Sequence, residues 1–133
     1  MNEDCQPCEA RMHAIDIRRT TLEGQRAIVT GANSGIGEAV ARGLAEAGAA
    51  VAVNWVSGQE RAQQVVADIR RAGGQAIAVH ADVSDEDQVQ AMFQRTVAEF
   101  GSVDIVVNNA GLQQDSPLHD MTLAQWCKVI DVN

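Results

Sequence analysis

The sequence predicts an α/β fold built on a doubly wound parallel sheet, of which half is present. Four short apolar runs of strand type alternate with four segments of helical period, and a glycine-rich turn follows the first run. Alternation of this kind requires parallel strands, right-handed crossovers and helices on both faces of the sheet. The glycine turn follows the first strand, as it does in doubly wound nucleotide-binding sheets, and the predicted strand order is 3-2-1-4.

Each strand is predicted from one apolar run, and the four runs cover residues 26–30, 50–54, 75–80 and 104–108. The second run is continuously apolar from Ala50 to Val53, which is typical of a strand buried on both faces. The helices alternate with the strands and are predicted over 34–47, 58–72, from Ser84 to Phe100, and from about Thr122.

An apolar face is predicted for each helix from its spacing of 3.6 residues per turn. In the first helix this face holds Ile36, Val40, Leu44 and Ala47. In the third helix it holds Val89, Met92, Phe93, Val97 and Phe100. Ser84 is the predicted N-cap of the third helix, and Asp87 completes a start that resembles a capping box.

The glycine turn between the first strand and the first helix is the strongest candidate for a binding site. Gly31, Gly35 and Gly37 allow a sharp turn and a close approach of a ligand to the backbone. The helix that follows directs its free N–H groups and positive dipole end to the same place, which favours phosphate. Asn33 and Ser34 can donate to phosphate oxygens. The alternatives are an ordinary strand-to-helix turn without a ligand, and simple helix capping by these two residues.

Composition and charge narrow the possible partners. The chain has 133 residues, 46% of them apolar, and a net charge of −8 without a basic stripe, which argues against a nucleic acid or an anionic membrane. No apolar run approaches the length of a membrane span. Residues 1–21 are polar and are predicted to be a mobile leader rather than a secretory signal, so residues 22–133 form the domain. A cytoplasmic location is expected, and three cysteines agree with a reducing compartment.

Metal binding is not expected. Cys5 and Cys8 have the spacing of half a zinc site and His13 lies nearby, but Cys127 is far away in a different context. A structural zinc site needs four ligands, and the sequence offers no second pair near Cys5 and Cys8. We therefore predict no metal site.

Four motifs in order resemble the short-chain dehydrogenase/reductase family over residues 22–133. Thr30 to Gly37 resembles its Thr-Gly-x-x-x-Gly-Ile-Gly signature, and Asn108 to Gly111 resembles its Asn-Asn-Ala-Gly motif. Asp82-Val83 resembles its adenine-binding pair, and Trp126 to Asn133 resembles the helix that ends in an active-site asparagine. Within the family, residues 109–112 and 126–133 are most similar to glucose 1-dehydrogenases, with 3-oxoacyl-(acyl-carrier-protein) reductases close behind.

The resemblance implies the cofactor-binding half of a Rossmann domain and hydride transfer between a nicotinamide cofactor and an alcohol or carbonyl compound. It implies a small-molecule substrate and a homo-oligomer, a tetramer in the family. Asn133 is the implied catalytic residue, and the implied cofactor contacts include Ile36, Val83, Asn109, Ala110 and Gly111. Asp82, at the end of the third strand, can accept from the adenine amino group, although it can also cap the next helix. Asn108 and Asn109 are expected to be buried and hydrogen-bonded.

Cofactor choice is expected to depend on the end of the second strand, where Asn54, Trp55, Val56 and Ser57 are the candidate ribose contacts. An NAD site places an acid there to bind the ribose hydroxyls. No acid occurs from Ala47 to Gln59, and no Arg or Lys occurs at 54–57. The expected cofactor is NADP or NAD, with a preference for NADP and dual use.

The family's catalytic Tyr-x-x-x-Lys is absent, because the sequence contains no tyrosine. The chain is therefore expected to be truncated before that motif and inactive by itself. Two alternatives stay open at this stage. The chain is a nucleotide-binding fragment without catalysis, or a truncated product without a stable fold.

Overall fold

The computed structural model describes residues 21–133. The predicted leader and the Cys5, Cys8 and His13 group therefore lie outside the described residues, apart from residue 21. The elements are β1 (Arg26–Val29), α1 (Gly35–Glu46), β2 (Ala50–Trp55), α2 (Gln59–Arg71), β3 (Gln75–His80), α3 (Glu86–Phe100), β4 (Ile105–Val107) and α4 (Leu123–Val132). Each lies within two residues of its predicted bounds. No helix among residues 21–133 has the length and apolarity that a bilayer crossing requires.

The four strands form one parallel sheet in the predicted order β3-β2-β1-β4. One register row runs across the whole sheet, from Ile77 through Ala52 and Ile28 to Val106. Alternate residues of β1 and β2 face opposite sides, and both sides are buried. This confirms the doubly wound arrangement, because continuous apolar strands need cover on both faces.

The two layers of helices bury separate cores. On one side α1 and α2 pack against Val29 and Val53, with Ile69 of α2 almost fully buried. On the other side α3 packs Met92 against Ile28 and its neighbours. The carboxyl ends of the strands, and the loops that follow them, therefore lie together at one end of a sheet that is packed on both faces.

The β4 edge of the sheet is less covered than its centre. Among the strands of residues 21–133, β4 pairs only with β1, and Val106 is 44% exposed. α4 contains no buried residue, and Leu123, Trp126 and Ile130 are exposed. Asn108 was expected to be buried but is exposed, because it follows this edge strand rather than a central one.

Two apolar side chains predicted to face the core do not. Ile36, in the first turn of α1, is 78% exposed, because it lines an open cleft instead of packing on the sheet. Val97 is 43% exposed, and Thr96 occupies the inward position instead. Its hydroxyl donates to the carbonyl oxygen of Met92 at 2.8 Å, so the polar group is satisfied within its own helix.

The predicted N-cap of α3 is also corrected. Asp85, not Ser84, caps this helix and accepts from the backbone N–H of Gln88 at 3.1 Å. Ser84 is held in the preceding turn, because its N–H and hydroxyl both donate to Oδ1 of Asp82 at 2.9 and 2.7 Å. The helix therefore starts at Glu86.

Candidate functional site

A cleft of about 750 Å³ lies at the carboxyl ends of the strands. Its volume falls within the ~300–1,000 Å³ typical of small-molecule sites. The predicted cofactor residues that line it are Gly31, Asn33, Ser34, Ile36, Gly37, Asn54, Val56, Asp82, Val83, Asn109, Ala110 and Gly111. Residues from the four loops that follow β1, β2, β3 and β4, and from α4, are thus brought to one place.

A second cavity, of about 650 Å³, opens at the opposite end of the sheet. It lies against the amino ends of the strands, beside Gln25 and Gln75, and none of the predicted site residues lines it. Its two arginines, Arg26 and Arg42, are both engaged by acidic side chains. Ligands of open α/β sheets bind at the carboxyl ends of the strands, so the first cleft is the candidate site.

The glycine turn at this cleft needs glycine for two different reasons. Gly31 and Gly35 have φ values of +59° and +57°, which L side chains rarely adopt, and nothing lies within 4 Å of a Cβ built at Gly35. A Cβ at Gly37 would lie 2.5 Å from the carbonyl oxygen of Gly31 and closer still to Nδ2 of Asn109. Gly35 therefore leaves backbone open to a ligand, and Gly37 permits close packing of helix against turn.

The amino end of α1 is available to an anion. Ser34 is its N-cap residue, but the Ser34 side chain makes no capping hydrogen bond. The first N–H groups of a helix have no partner within the helix, and the helix dipole adds a partial positive charge there. These groups lie at the open backbone of Gly35, which is the arrangement that a pyrophosphate requires.

Thr30 joins the glycine turn to the loop after β4. Its Oγ1 accepts from the N–H groups of Asn109 and Ala110, both at 2.9 Å, and donates to the carbonyl oxygen of Val107 at 3.3 Å. Nδ2 of Asn109 donates back to the carbonyl oxygens of Thr30 and Gly31 at 2.9 and 3.2 Å. The two loops therefore form one hydrogen-bonded unit. The Thr30 hydroxyl is not among the contacts predicted from the sequence.

Asn54 lines the cleft as predicted, but its side chain is occupied by protein partners. It is 2% exposed, and Oδ1 accepts from the N–H of Gly31 at 3.2 Å. Nδ2 donates to the carbonyl oxygens of Val79 and Ala81 at 3.3 and 2.9 Å. Asn54 thus connects the ends of β2 and β3 to the glycine turn and positions that turn.

Of the other residues predicted to contact the ribose, one lines the cleft and two lie outside it. Val56 is 57% exposed and lines the cleft. Trp55 lies outside the lining and packs edge-to-face on His80, with ring centroids 4.7 Å apart. Ser57 is also outside the lining, and its carbonyl oxygen accepts from Nδ2 of Asn33 at 2.6 Å. Gly35, the remaining predicted contact outside the lining, contributes the open backbone described above.

Asp82 is placed to act as a hydrogen-bond acceptor in the cleft. The side-chain and backbone hydrogen bonds from Ser84 hold the pKa of its carboxyl below the usual value, so it is ionised at neutral pH. Both bonds use Oδ1, which leaves Oδ2 for a ligand donor such as an exocyclic amino group. Ser84 also lines the cleft beside Val83.

One face of α4 completes the cleft. The lining side chains Ala124, Cys127, Lys128 and Asp131 follow the i, i+3, i+4, i+7 spacing of a single helix face. The spacing places these four residues on one face of the helix and can be read from the sequence, but they are not among the predicted cofactor contacts. Asn133 lies outside the lining, where its side-chain amide pairs with the N–H and carbonyl of Leu112 at 2.9 and 3.1 Å. Within residues 21–133 there is no cluster of potential metal ligands.

The family model for short chain dehydrogenases matches residues 25–133. The chain belongs to the short-chain dehydrogenase family. The matched region contains the whole cleft, including the glycine turn, Asp82 and the loop after β4. The parallel sheet in the order 3-2-1-4 is the Rossmann arrangement of solved members of this family.

Among curated relatives, the chain is 46% identical over 107 residues to the 3-oxoacyl-(acyl-carrier-protein) reductase FabG of Staphylococcus aureus, covering 80% of this chain and 44% of the relative. It is 49% identical over 108 residues to the cis-4-hydroxycyclohexanecarboxylate dehydrogenase of Sinomonas cyclohexanicum, covering 80% and 43%. The chain therefore spans less than half the length of these relatives.

Two solved structures are similar in fold and sequence. A dehydrogenase/reductase from Sinorhizobium meliloti superposes with a TM-score of 0.83 at 42% identity, over 87% of this chain and 46% of that one. A short chain dehydrogenase from Burkholderia cenocepacia, in complex with NADP, superposes with a TM-score of 0.81 at 44% identity, over 84% and 46%.

Proposed function

We propose that this chain is the dinucleotide-binding half of an oxidoreductase that transfers hydride between NAD(P) and an alcohol or carbonyl compound. One observation carries the proposal. A single cleft is lined by the glycine turn, by Asp82 and by the loop 109–111, and these supply an anion seat, an acceptor and a hydrogen-bonded wall. The bound nicotinamide would supply the hydride chemistry.

The residues of the cleft fit a dinucleotide in an extended orientation. The open backbone of Gly35 and the free hydroxyl of Ser34 would hold the pyrophosphate at the start of α1. Oδ2 of Asp82 would accept from adenine, and Val83 would pack beside it. Asn109, Ala110 and Gly111 would line the nicotinamide end, where α4 closes the opposite wall.

We propose NADP as the favoured cofactor, with NAD also accepted. Val56 lines the cleft where the ribose would lie, so no acid at that point repels a 2′-phosphate. The Burkholderia cenocepacia neighbour was solved with NADP, which supports the same choice.

Titration of the chain with NADP and NAD by calorimetry tests this binding. Both are expected to bind, NADP at least as tightly as NAD. Val56→Arg is expected to strengthen NADP binding about tenfold, since a hydrogen bond to a charged group contributes ~1.5–3 kcal/mol. Val97→Arg adds the same charge outside the cleft and is the matched control. A many-fold preference for NAD, or equal NADP affinity in Val56→Arg and wild type, would contradict the assignment.

Two substrate classes are proposed for the oxidoreductase. The likeness of residues 109–112 and 126–133 to glucose 1-dehydrogenases supports a sugar, and the 3-oxoacyl-(acyl-carrier-protein) reductase relative supports an oxoacyl thioester. Glucose oxidation and acetoacetyl-thioester reduction, assayed with a longer form that carries Tyr-x-x-x-Lys, would separate them.

We also propose that the oxidoreductase is a homo-oligomer. The exposed apolar side chains Leu123, Trp126 and Ile130 of α4 support this proposal.

The 133-residue chain alone is expected to show no dehydrogenase or reductase turnover. It contains no tyrosine, so no phenol can exchange the substrate hydroxyl proton. The assay follows the nicotinamide absorbance band with glucose or an acetoacetyl thioester. Turnover above the background rate measured without the protein would overturn this expectation. Tight cofactor binding without turnover would agree with the alternative of a non-catalytic nucleotide-binding unit.

A further inference from the structure

The glycine turn is fastened to the start of α2 by one side chain. Nδ2 of Asn33 donates to the carbonyl oxygen of Ser57 at 2.6 Å and reaches that of Gly58 at 3.5 Å. Gly58 is the N-cap of α2 and has a φ of +76°, and a Cβ there would come within 3.1 Å of Nδ2 of Asn33. The first turn of α2 is therefore held in a fixed position beside Ser34.

A small cavity of about 190 Å³ lies between these two segments. Asn33 and Ser34 line it and also line the large cleft, so the two spaces share a wall. Arg61, in the first turn of α2, and Gln64 line its other side. The volume is several times the ~30 Å³ that one water molecule occupies in the liquid, which leaves room for a phosphate group.

Two arginines line this cavity, and they differ in whether their charge is already paired with an acidic side chain. Arg42 is engaged by Glu38 and Asp68, with N–O distances of 2.8 and 2.9 Å. Arg61 is exposed, and its side chain forms no ion pair within residues 21–133. The charged residues that line the cavity are two arginines, Arg42 and Arg61, and one acid, Glu38, so the net charge of its lining is positive.

We propose that Arg61 binds the 2′-phosphate of NADP(H) and thereby determines cofactor preference. This inference rests on the proposed function of the cleft. The adenosine ribose of a dinucleotide between Ser34 and Val56 would lie beside the shared wall, so its 2′ substituent would meet the small cavity. An arginine presents a planar fork of donors that matches phosphate. Arg61 lies outside residues 54–57, the segment that the sequence predicts to contact the ribose.

The test measures dissociation constants of the 133-residue chain for NADP, NAD, 2′,5′-ADP and 5′-AMP by calorimetry. Arg61→Gln is expected to weaken NADP and 2′,5′-ADP about tenfold or more, and to leave NAD and 5′-AMP within about twofold, because hydrogen bonds to charged groups are the strong ones. Arg61→Lys is expected to restore part of the loss. Arg71→Gln removes the same charge from an exposed side chain at the other end of the same helix, outside the small cavity, and is the control.

Equal weakening of NADP and NAD in Arg61→Gln would overturn the assignment, as would unchanged affinity for NADP. A loss of the same size in Arg71→Gln would also overturn it, because the effect would then be that of net charge. If the wild-type chain binds neither dinucleotide, the function proposed for the cleft fails as well. If both bind and only the discrimination is missing, the role of Arg61 alone fails.

Discussion

Replacing Gly37 with alanine is expected to reduce NADP affinity by up to about 100-fold and to lower the thermal midpoint of the chain. The new methyl group would lie 2.5 Å from the carbonyl oxygen of Gly31 and 3.1 Å from Cα of Ala32. Both are backbone atoms, so relief requires α1 to move away from the turn. Overpacking of this kind costs ~1–3 kcal/mol. The same movement displaces the N–H groups at the start of α1 that are proposed to hold the pyrophosphate.

Gly43→Ala is the matched control for this prediction. Gly43 lies in the same helix, is exposed, and has nothing within 4 Å of a built Cβ. The same substitution there is expected to stabilise the chain by ~0.5–1 kcal/mol, because alanine is the better helix former. Thermal unfolding of the two variants checks that Gly37→Ala lowers stability and Gly43→Ala raises it, and NADP titration checks that only Gly37→Ala loses affinity. Wild-type affinity and stability in Gly37→Ala would show that helix and turn are less closely packed than described.

Replacing Asn54 with aspartate is expected to destabilise the chain by ~3–5 kcal/mol at neutral pH, the range seen when a buried charge is left without a partner. The side chain keeps its shape and can still accept from Gly31. It can no longer donate to the carbonyl oxygens of Val79 and Ala81, which lie 3.3 and 2.9 Å from Nδ2. A buried carboxylate would then face two carbonyl oxygens.

The loss of stability in Asn54→Asp is expected to depend on pH. Burial and the facing carbonyl oxygens raise the pKa of the introduced carboxyl in the folded state above its unfolded value of ~3.9. Because the folded state then binds the proton more tightly, the penalty is smallest at low pH and grows as pH rises toward the folded pKa. Thermal unfolding from pH 5 to pH 8 is expected to show a widening difference from wild type.

Asn108→Asp is the control, because Asn108 is exposed and acquires the same charge. Its thermal midpoint is expected to stay close to that of wild type at each pH. A pH-independent difference between Asn54→Asp and wild type would contradict the burial of the charge. No difference at all would contradict the hydrogen bonds assigned to Asn54.

The arrangement of strands and helices could be predicted because it depends on local patterns. The apolar runs of β1 to β3 and the glycine turn are each short and continuous in sequence, and their order alone requires a parallel sheet. The strand order and every element were predicted correctly. Most predicted cofactor residues line one cleft, because parallel strands bring their carboxyl ends to the same edge.

The errors in the elements arose where two local signals competed. Thr96 and Val97 are neighbours on α3, and only the orientation of that helix against the sheet decides which faces Ile28. Ser84 and Asp85 are both good N-cap residues, and the hydrogen bonds of Ser84 to Asp82 decide between them.

The sequence by itself determined the family, the parallel sheet and the place of the glycine turn, since each depends on residues close together in the chain. Tertiary structure alone decided that Asn54 holds Gly31 across 23 residues, and that Asn33 brings the start of α2, and with it Arg61, to the glycine turn. Hydrogen bonds between segments this far apart exist only once the sheet has aligned the strand ends. No spacing along the chain indicates them.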